Sequence, residues 1–386
     1  MHETILKGLK GNIKVQIQQP SIPIYRRPFF EQLNKAVTLE LFYGFDGVPS
    51  SMPKDIELHF YPLKIFNFWF FEFKWHIAQI KAIIKKSDIA ILSWDVQYLT
   101  LWIALLMKLI TGKFLILWGH GYSKNDNRFK KGIRNLPLLL SDAVIVYDFH
   151  TAQRLKENIR YKDKVFVAPN SLDQRTISLA AEKWRIEKDN LWDFKRQNTI
   201  SHSFNLIYIG RIYPANKLEL LLEATKLCCE SIRELRLIII GKENQYSDLL
   251  KERAVALGVS ENIIWAGEIY DEEKIAPWML SSHVFCYPAN IGLSIMHAFG
   301  YGLPVITDDN YSSHNPEIWA FTNGFNGVSY RQGDVNDFCN QIFRLFNNPE
   351  LRLSLSENAK KTVAETFTIE KMADGFIDAI NYVQNR

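Results

Sequence analysis

Along the chain, the spacing of apolar and polar positions switches between two patterns. Short unbroken apolar runs, many rich in Val and Ile, alternate with longer segments in which apolar residues return every three or four positions. The first pattern fits strands buried on both faces, and the second fits amphipathic helices. Strands are predicted at 12–18, 37–43, 56–61, 89–93, 113–118, 143–147 and 165–168, with helices at 28–36, 97–110 and 149–158. The aromatic stretch 66–86 reads as a further helix. A second series places strands at 205–210, 236–240, 263–266, 283–287 and 304–307, separated by helices at 217–229, 246–257, 271–280 and 293–300.

Strands that alternate with helices predict parallel sheets covered on both faces, with ligands at the carboxyl ends of the strands. The rhythm lapses between 177 and 203, where the charged run starting at Glu182 is helical but carries no strand. The expected class is therefore α/β: two Rossmann-like domains, 1–176 and 204–368, joined by a linker region at 177–203 and facing across a cleft. A last helix, within 369–386, follows the completed second sheet and is free to cross back to the first domain.

At 386 residues the chain has ample length for two cores. A net charge of +4, with no zinc-spaced cysteines and no RNA-binding aromatic signature, argues against nucleic acid as a partner. Cys228, Cys229, Cys286 and Cys339 read as buried thiols of a reducing compartment, and the first residues carry no apolar run of secretory length, so a cytoplasmic protein is expected. The apolar stretch 98–110 is interrupted by Lys108 and is shorter than the ~20 residues that span a bilayer. The stretch 66–86 mixes aromatics with Lys74, Lys81, Lys85 and Lys86. That mix suits either a helix in a membrane interface or one packed on a sheet with a basic outer face.

The densest candidate chemistry lies at 287–307, a strand, a turn on Asn290 and Gly292, a short helix opening with Leu293 and Ser294, and a second strand. A glycine at the mouth of a helix lets backbone N–H groups approach a ligand, and the helix N-terminus, carrying roughly half a positive charge, favours phosphate oxygens. An ordinary crossover would need the same glycine for its turn alone. Gly210 and Arg211 end the strand at 205–210 and Lys217 follows before a helix. A planar cationic fork beside a compact ammonium suits a diphosphate leaving group.

In this order and spacing, the segment from Gly210 and Arg211 to Lys217 resembles the donor-diphosphate segment of retaining glycosyltransferases of family 4, which have a GT-B fold. Tyr25, Arg26 and Pro28 are similar to the family's opening turn, Gly119-His120-Gly121 to its inter-domain histidine loop, Asn170 to Asp173 to the end of its first domain, and Gly302 to Thr307 to the strand after its donor helix. The resemblance implies that His120, Arg211 and Lys217 are catalytic. It also implies that Gly210, Gly267, Ile269, Asn290, Gly292, Leu293, Ser294, His297 and Glu317 hold the donor, a UDP- or GDP-sugar. An acceptor, saccharide or lipid-linked saccharide, would meet Tyr25, Arg26, Lys124 and Arg128 in the first domain, with peripheral contact at the cytoplasmic face of the membrane. A solvated basic helix face is the commoner reading of Lys124 to Arg134. No cofactor is implied and no metal. Asp308 and Asp309 read as an acidic turn.

One departure is plain. Family members carry two glutamates flanking the donor helix, and the matching positions here are Ala289 and His297. His297 would then take over the donor ribose, with Pro316 and Glu317 downstream. Two other readings stay open on the residues: an inactive GT-B-like module that binds nucleotide or glycan, and a sugar-nucleotide epimerase.

Overall fold

A computed structural model describes residues 13–45, 52–68, 71–121 and 128–386. They divide into two compact units, one holding the residues up to Ser171 together with Ile369–Arg386, the other Leu172–Thr368. Each is built around one parallel sheet.

In the first unit the strands are β1 (Lys14–Gln18), β2 (Thr38–Tyr43), β3 (Glu57–Phe60), β4 (Lys64–Phe68), β5 (Phe71–Trp75), β6 (Ile89–Ser93), β7 (Phe114–Gly119), β8 (Ala143–Val146) and β9 (Val165–Val167). Seven of them form a sheet in the order β3-β2-β1-β6-β7-β8-β9, every neighbour parallel. The second unit contributes β10 (Phe204–Ile209), β11 (Leu235–Ile240), β12 (Ile263–Gly267), β13 (Val284–Cys286), β14 (Val305–Asp308) and β15 (Gly327–Tyr330). Their order is β12-β11-β10-β13-β14-β15, again parallel throughout. The central strands are buried along their length, which is why they read as unbroken apolar runs.

Both sheets reverse their winding at one point, between β1 and β6 in the first and between β10 and β13 in the second. At such a point the following loops leave to opposite sides and open a crevice at the carboxyl ends of the strands. In the second unit that crevice lies between the loops that start at Gly210 and at Tyr287.

The helix Ile369–Gln384 belongs to the first unit. It packs on the helix Arg27–Asn34 and on β8 and β9, with the Phe376 ring 4.7 Å from Phe29 and 4.8 Å from Trp118. Residues 177–203 form most of two helices, Gln174–Ile186 and Lys188–Gln197, the first packed on the helix Glu272–Leu280.

The stretch 66–86 corrects the sequence reading. It is not one helix: β4 and β5 pair as an antiparallel hairpin, and only Ile77–Ile84 is helical. Phe71-Glu-Phe-Lys-Trp75 alternates aromatic and charged residues with a period of two, the signature of a strand with two unlike faces. The density of aromatic residues masks that alternation.

Candidate functional site

The second unit's crevice is built from two loops locked together. Gly210 follows β10, and a Cβ there would lie 2.9 Å from the Tyr208 hydroxyl and 3.0 Å from that of Tyr287, so any side chain would push those two phenols out of their places. Arg211 follows, exposed, and its carbonyl accepts from the Tyr208 hydroxyl at 2.7 Å. The chain then turns through Pro214–Asn216 and enters the helix Leu218–Cys229 from Lys217, whose φ of 51° is left-handed. An L-residue pays roughly 1–2 kcal/mol for that conformation, so the surroundings must hold it.

Asn216 does the holding. It is fully buried, and its amide nitrogen lies 2.7 Å from the Tyr208 hydroxyl, 2.8 Å from the Arg211 carbonyl and 2.9 Å from the Tyr287 hydroxyl. Its oxygen accepts from the Asn290 amide at 3.0 Å, and Asn290 also donates to the Tyr213 hydroxyl. Asn290 itself has a φ of 59°. Burial pushes the Tyr208 and Tyr287 phenols above their ordinary range, which keeps them as neutral hydroxyls able to accept and donate.

The turn after Asn290 is fixed from its other side. Ile291 donates its N–H to His314 Nδ1 at 3.0 Å, and His314 Nε2 faces Asp308 Oδ1 at 3.1 Å. Asn315 donates its side-chain amide to the Asn290 carbonyl at 3.0 Å. Asp308 therefore anchors a clamp on the turn, while Asp309 caps the Gln332 amide at 3.0 Å. Gly292, Leu293 and Ser294 follow at the mouth of the helix Ser294–Tyr301; Ile295 and Met296 spend their N–H groups on the carbonyls of Gly292 and Leu293 at 3.0 Å, which leaves the amides of Gly292 to Ser294 to face a ligand. Unspent amides, the helix dipole and two cations around one crevice can receive a diphosphate.

The other candidates for the donor lie on the same unit. Gly267 ends β12 with a φ of 72°, and its carbonyl accepts from Gly241 at 2.9 Å, beside Gly210 in the adjoining strand; Ile269 is partly buried on the core two residues later. Glu317 is buried at the start of the short helix Pro316–Ala320, which packs on Ser294–Tyr301. His297, one turn into that helix, points at a carboxylate that sequence reading missed. Its Nε2 is 2.8 Å from Glu272 Oε1, and the Tyr301 hydroxyl donates to the same oxygen at 2.5 Å. Burial alone would raise the Glu272 carboxyl. The bonds from His297 and Tyr301 and the His297 charge outweigh it and hold the group below its usual range. Ala289 is buried, so this part of the crevice draws its carboxylate from the neighbouring helix.

In the first unit, β7 ends at Gly119, and His120 and Gly121 follow. Gly121 has a φ of 75°, and a Cβ there would collide with Thr151 Cγ2 at 2.5 Å. His120 is exposed, with its ring 4.6 Å from that of Tyr147. Arg26 is buried, its guanidinium 4.8 Å from the Trp118 ring centroid and 5.3 Å from that of Tyr147, to whose hydroxyl it donates at 3.2 Å. Tyr25 beside it is exposed. Lys124 lies outside the described residues; Arg128 opens the helix Arg128–Leu140. Among the described residues one trio, Glu40, Glu57 and His59, offers ligand atoms close enough for a cation, but the ammonium groups of Lys14 and Lys85 already pair with Glu40, the latter at 2.9 Å.

Residues 191–362, less than half of the chain, match the family described as Glycosyl transferases group 1. EpsD of Bacillus subtilis (strain 168), named as a candidate glycosyltransferase, is 28% identical over 180 residues, 44% of each chain. The capsular polysaccharide biosynthesis glycosyltransferase CapM of Staphylococcus aureus is 20% identical over 250 residues, 62% of this chain and 63% of that one. The chain thus spans less than two thirds of the length of these relatives. Among solved structures, Anabaena HepE (Alr3699) in complex with UDP superimposes with a TM-score of 0.74 over 95% of this chain and 99% of that one, at 13% identity, a likeness of fold. The group 1 likeness is thus carried by residues 191–362, and the likeness to HepE is one of fold over nearly the whole chain.

Proposed function

We propose that this chain is a glycosyltransferase that moves a sugar, with retention, from a nucleotide-sugar to a saccharide or lipid-linked saccharide acceptor in the synthesis of a surface polysaccharide or glycoconjugate. The observation that carries the reading is the Asn216–Asn290 lock, which sets Arg211, Lys217 and the mouth of the helix Ser294–Tyr301 around one crevice. A relative named for capsular polysaccharide synthesis and a fold neighbour solved with UDP favour the same reading, and a UDP-sugar is its first candidate donor.

On this reading Arg211 and Lys217 neutralise the negative charge that builds on the departing nucleoside diphosphate, and the amides of Gly292 to Ser294 hydrogen-bond its oxygens. Gly267 and Ile269 border the base. His297, with Glu272 behind it, receives the ribose hydroxyls, and Glu317 lies toward the sugar. The acceptor enters beside His120 and Tyr25, and the leaving phosphate itself takes the acceptor proton. No metal is assigned a part.

The test is turnover on a panel of UDP-, GDP- and ADP-sugars with the Arg211→Ala, Lys217→Ala double variant. Loss of at least about a hundredfold in kcat/KM on the donor that the wild type uses is the expected result, from two charge-assisted contacts worth together about 3 kcal/mol or more. A double variant as active as the wild type removes the donor assignment, and a wild type that binds a nucleotide but turns over no donor leaves a binding module.

A further inference from the structure

Away from the crevice, the second unit brings two nucleophilic side chains together. The helix Leu218–Cys229 buries Leu221, Ala224, Thr225 and Cys228, and the helix Val335–Asn347 buries Phe338, Cys339, Ile342 and Leu345. Both sets recur every three or four positions, so each lies on one face of its helix, and the two helices pack on each other. Where they meet, Cys228 Sγ lies 2.9 Å from Cys339 Sγ and 3.9 Å from the Cys339 carbonyl oxygen. Two sulfurs so placed need about 1 Å of further approach to reach the ~2.05 Å of a covalent bond. Among the described residues no other pair of thiols is in contact, although Cys229 and Cys286 are free as well.

The two thiols are unequal. Cys228 is fully buried, whereas Cys339 keeps 5% of its surface exposed. A hydrogen bond from Cys228 pulls the Cys339 thiol below its ordinary range against the cost of burial, and the same bond, together with burial, pushes Cys228 up. Access and thiolate character therefore fall on one sulfur, with a second thiol set against it. That is the arrangement in which the oxidation of one cysteine is resolved by another.

We propose that Cys228 and Cys339 form a site of oxidative modification, which closes to a disulfide when the chain meets a peroxide. The Cys339 thiolate attacks one oxygen of hydrogen peroxide; an S–O bond forms, the O–O bond breaks, and the departing hydroxide takes up the proton that Cys339 had released. The Cys228 sulfur then attacks the sulfenic sulfur; the S–S bond forms, the S–O bond breaks, and the hydroxyl leaves as water with the Cys228 proton. Two thiols and one peroxide give one disulfide and two waters. The bond joins the helix that follows Lys217 to a helix 111 positions further along at the cysteines, and it does not depend on what the crevice binds.

Peptide mapping of the full chain tests it directly, without need of a variant. The folded protein is treated with hydrogen peroxide, its remaining thiols are capped with N-ethylmaleimide in denaturant, and it is digested without reductant for mass spectrometry. The expected result is the loss of two of the four thiols, a linked peptide pair containing Cys228 and Cys339, and recovery of both thiols with dithiothreitol. Cys229→Ser keeps the link. Cys228→Ser stops at a sulfenic acid on Cys339, which dimedone captures, and Cys339→Ser leaves Cys228 unmodified. Four thiols still free after peroxide would overturn the proposal, as would a link through Cys229 or Cys286, a link between two chains, or thiols that dithiothreitol does not restore.

Discussion

Each unit holds one buried polar side chain under a loop at the switch point of its sheet, and the two do so by different physics. Arg26 rests against the faces of Trp118 and Tyr147 and donates to the Tyr147 hydroxyl, and its contact with the rings is broad and tolerant of small shifts. Asn216 sits among the oxygens of Tyr208, Arg211 and Tyr287 and accepts from Asn290, each bond short and directional. The lesson lies in what each loop must present. On the proposed function the second unit's two loops must aim two cations and a row of amides at one anion, which needs angular precision, and they hold Lys217 and Asn290 in left-handed conformations. Stacking on rings would not supply that.

The comparison breaks most visibly at Asn216. Asn216→Ala strands the phenols of Tyr208 and Tyr287 and the Asn290 amide in a buried space, so the expected loss is about 3 kcal/mol of stability in urea unfolding, together with loss of nucleotide binding. Asn216→Asp removes the donor and keeps the size, and should lose binding as well. A smaller effect follows on the other side. Arg26→Ala removes the cation–π contacts and the Tyr147 bond, and should cost about 2 kcal/mol while leaving nucleotide binding intact. Equal losses of binding from both substitutions would erase the distinction.

The weakest expected effect is acid sensitivity. Glu40 in the first unit is held at about 2 because bonds from Lys14, Lys85 and Gln16 outweigh its burial, and Glu272 in the second is held low by His297 and Tyr301 against the same cost. A carboxyl lowered in the folded state contributes stability that is complete above its ordinary pKa of 4.5 and disappears as pH falls through the folded value. Both units should therefore lose stability on acidification below that point. Glu272→Gln should flatten the acid limb by roughly 1 kcal/mol or less, measured as unfolding midpoint against pH. An unchanged slope would show that the Glu272–His297–Tyr301 contact adds nothing to folding.

Much of the fold was legible because parallel strands buried on both faces leave continuous apolar runs, as in Leu235–Ile240, and the helices between them carry a clear stripe. The hairpin β4–β5 was not: its register puts Phe66, Phe73 and Trp75 on one face and Asn67, Glu72 and Lys74 on the other, but the density of aromatic residues in the sequence hides that period of two. In the candidate site, Gly210, Arg211, Lys217 and Gly292 announced themselves through a glycine or a cation at a strand end. Asn216, His314 and Glu272 gave no such signal. Asn216 meets Asn290 across 74 positions and His297 meets Glu272 across 25, and a buried amide or carboxylate has a meaning only once its distant partner is in place. Asn216 is the nearest to an exception: an Asn directly before a cation, at the end of a turn opened by Pro214, fits a local cap as well as a lock.

The central claim is that the two locked loops of the second unit bind a nucleoside diphosphate. Titration calorimetry with UDP is its most direct test. The wild type should bind UDP, and the Arg211→Ala, Lys217→Ala variant, with its melting temperature unchanged, should bind at least about a hundredfold more weakly. Equal UDP affinity in the two proteins would contradict the account.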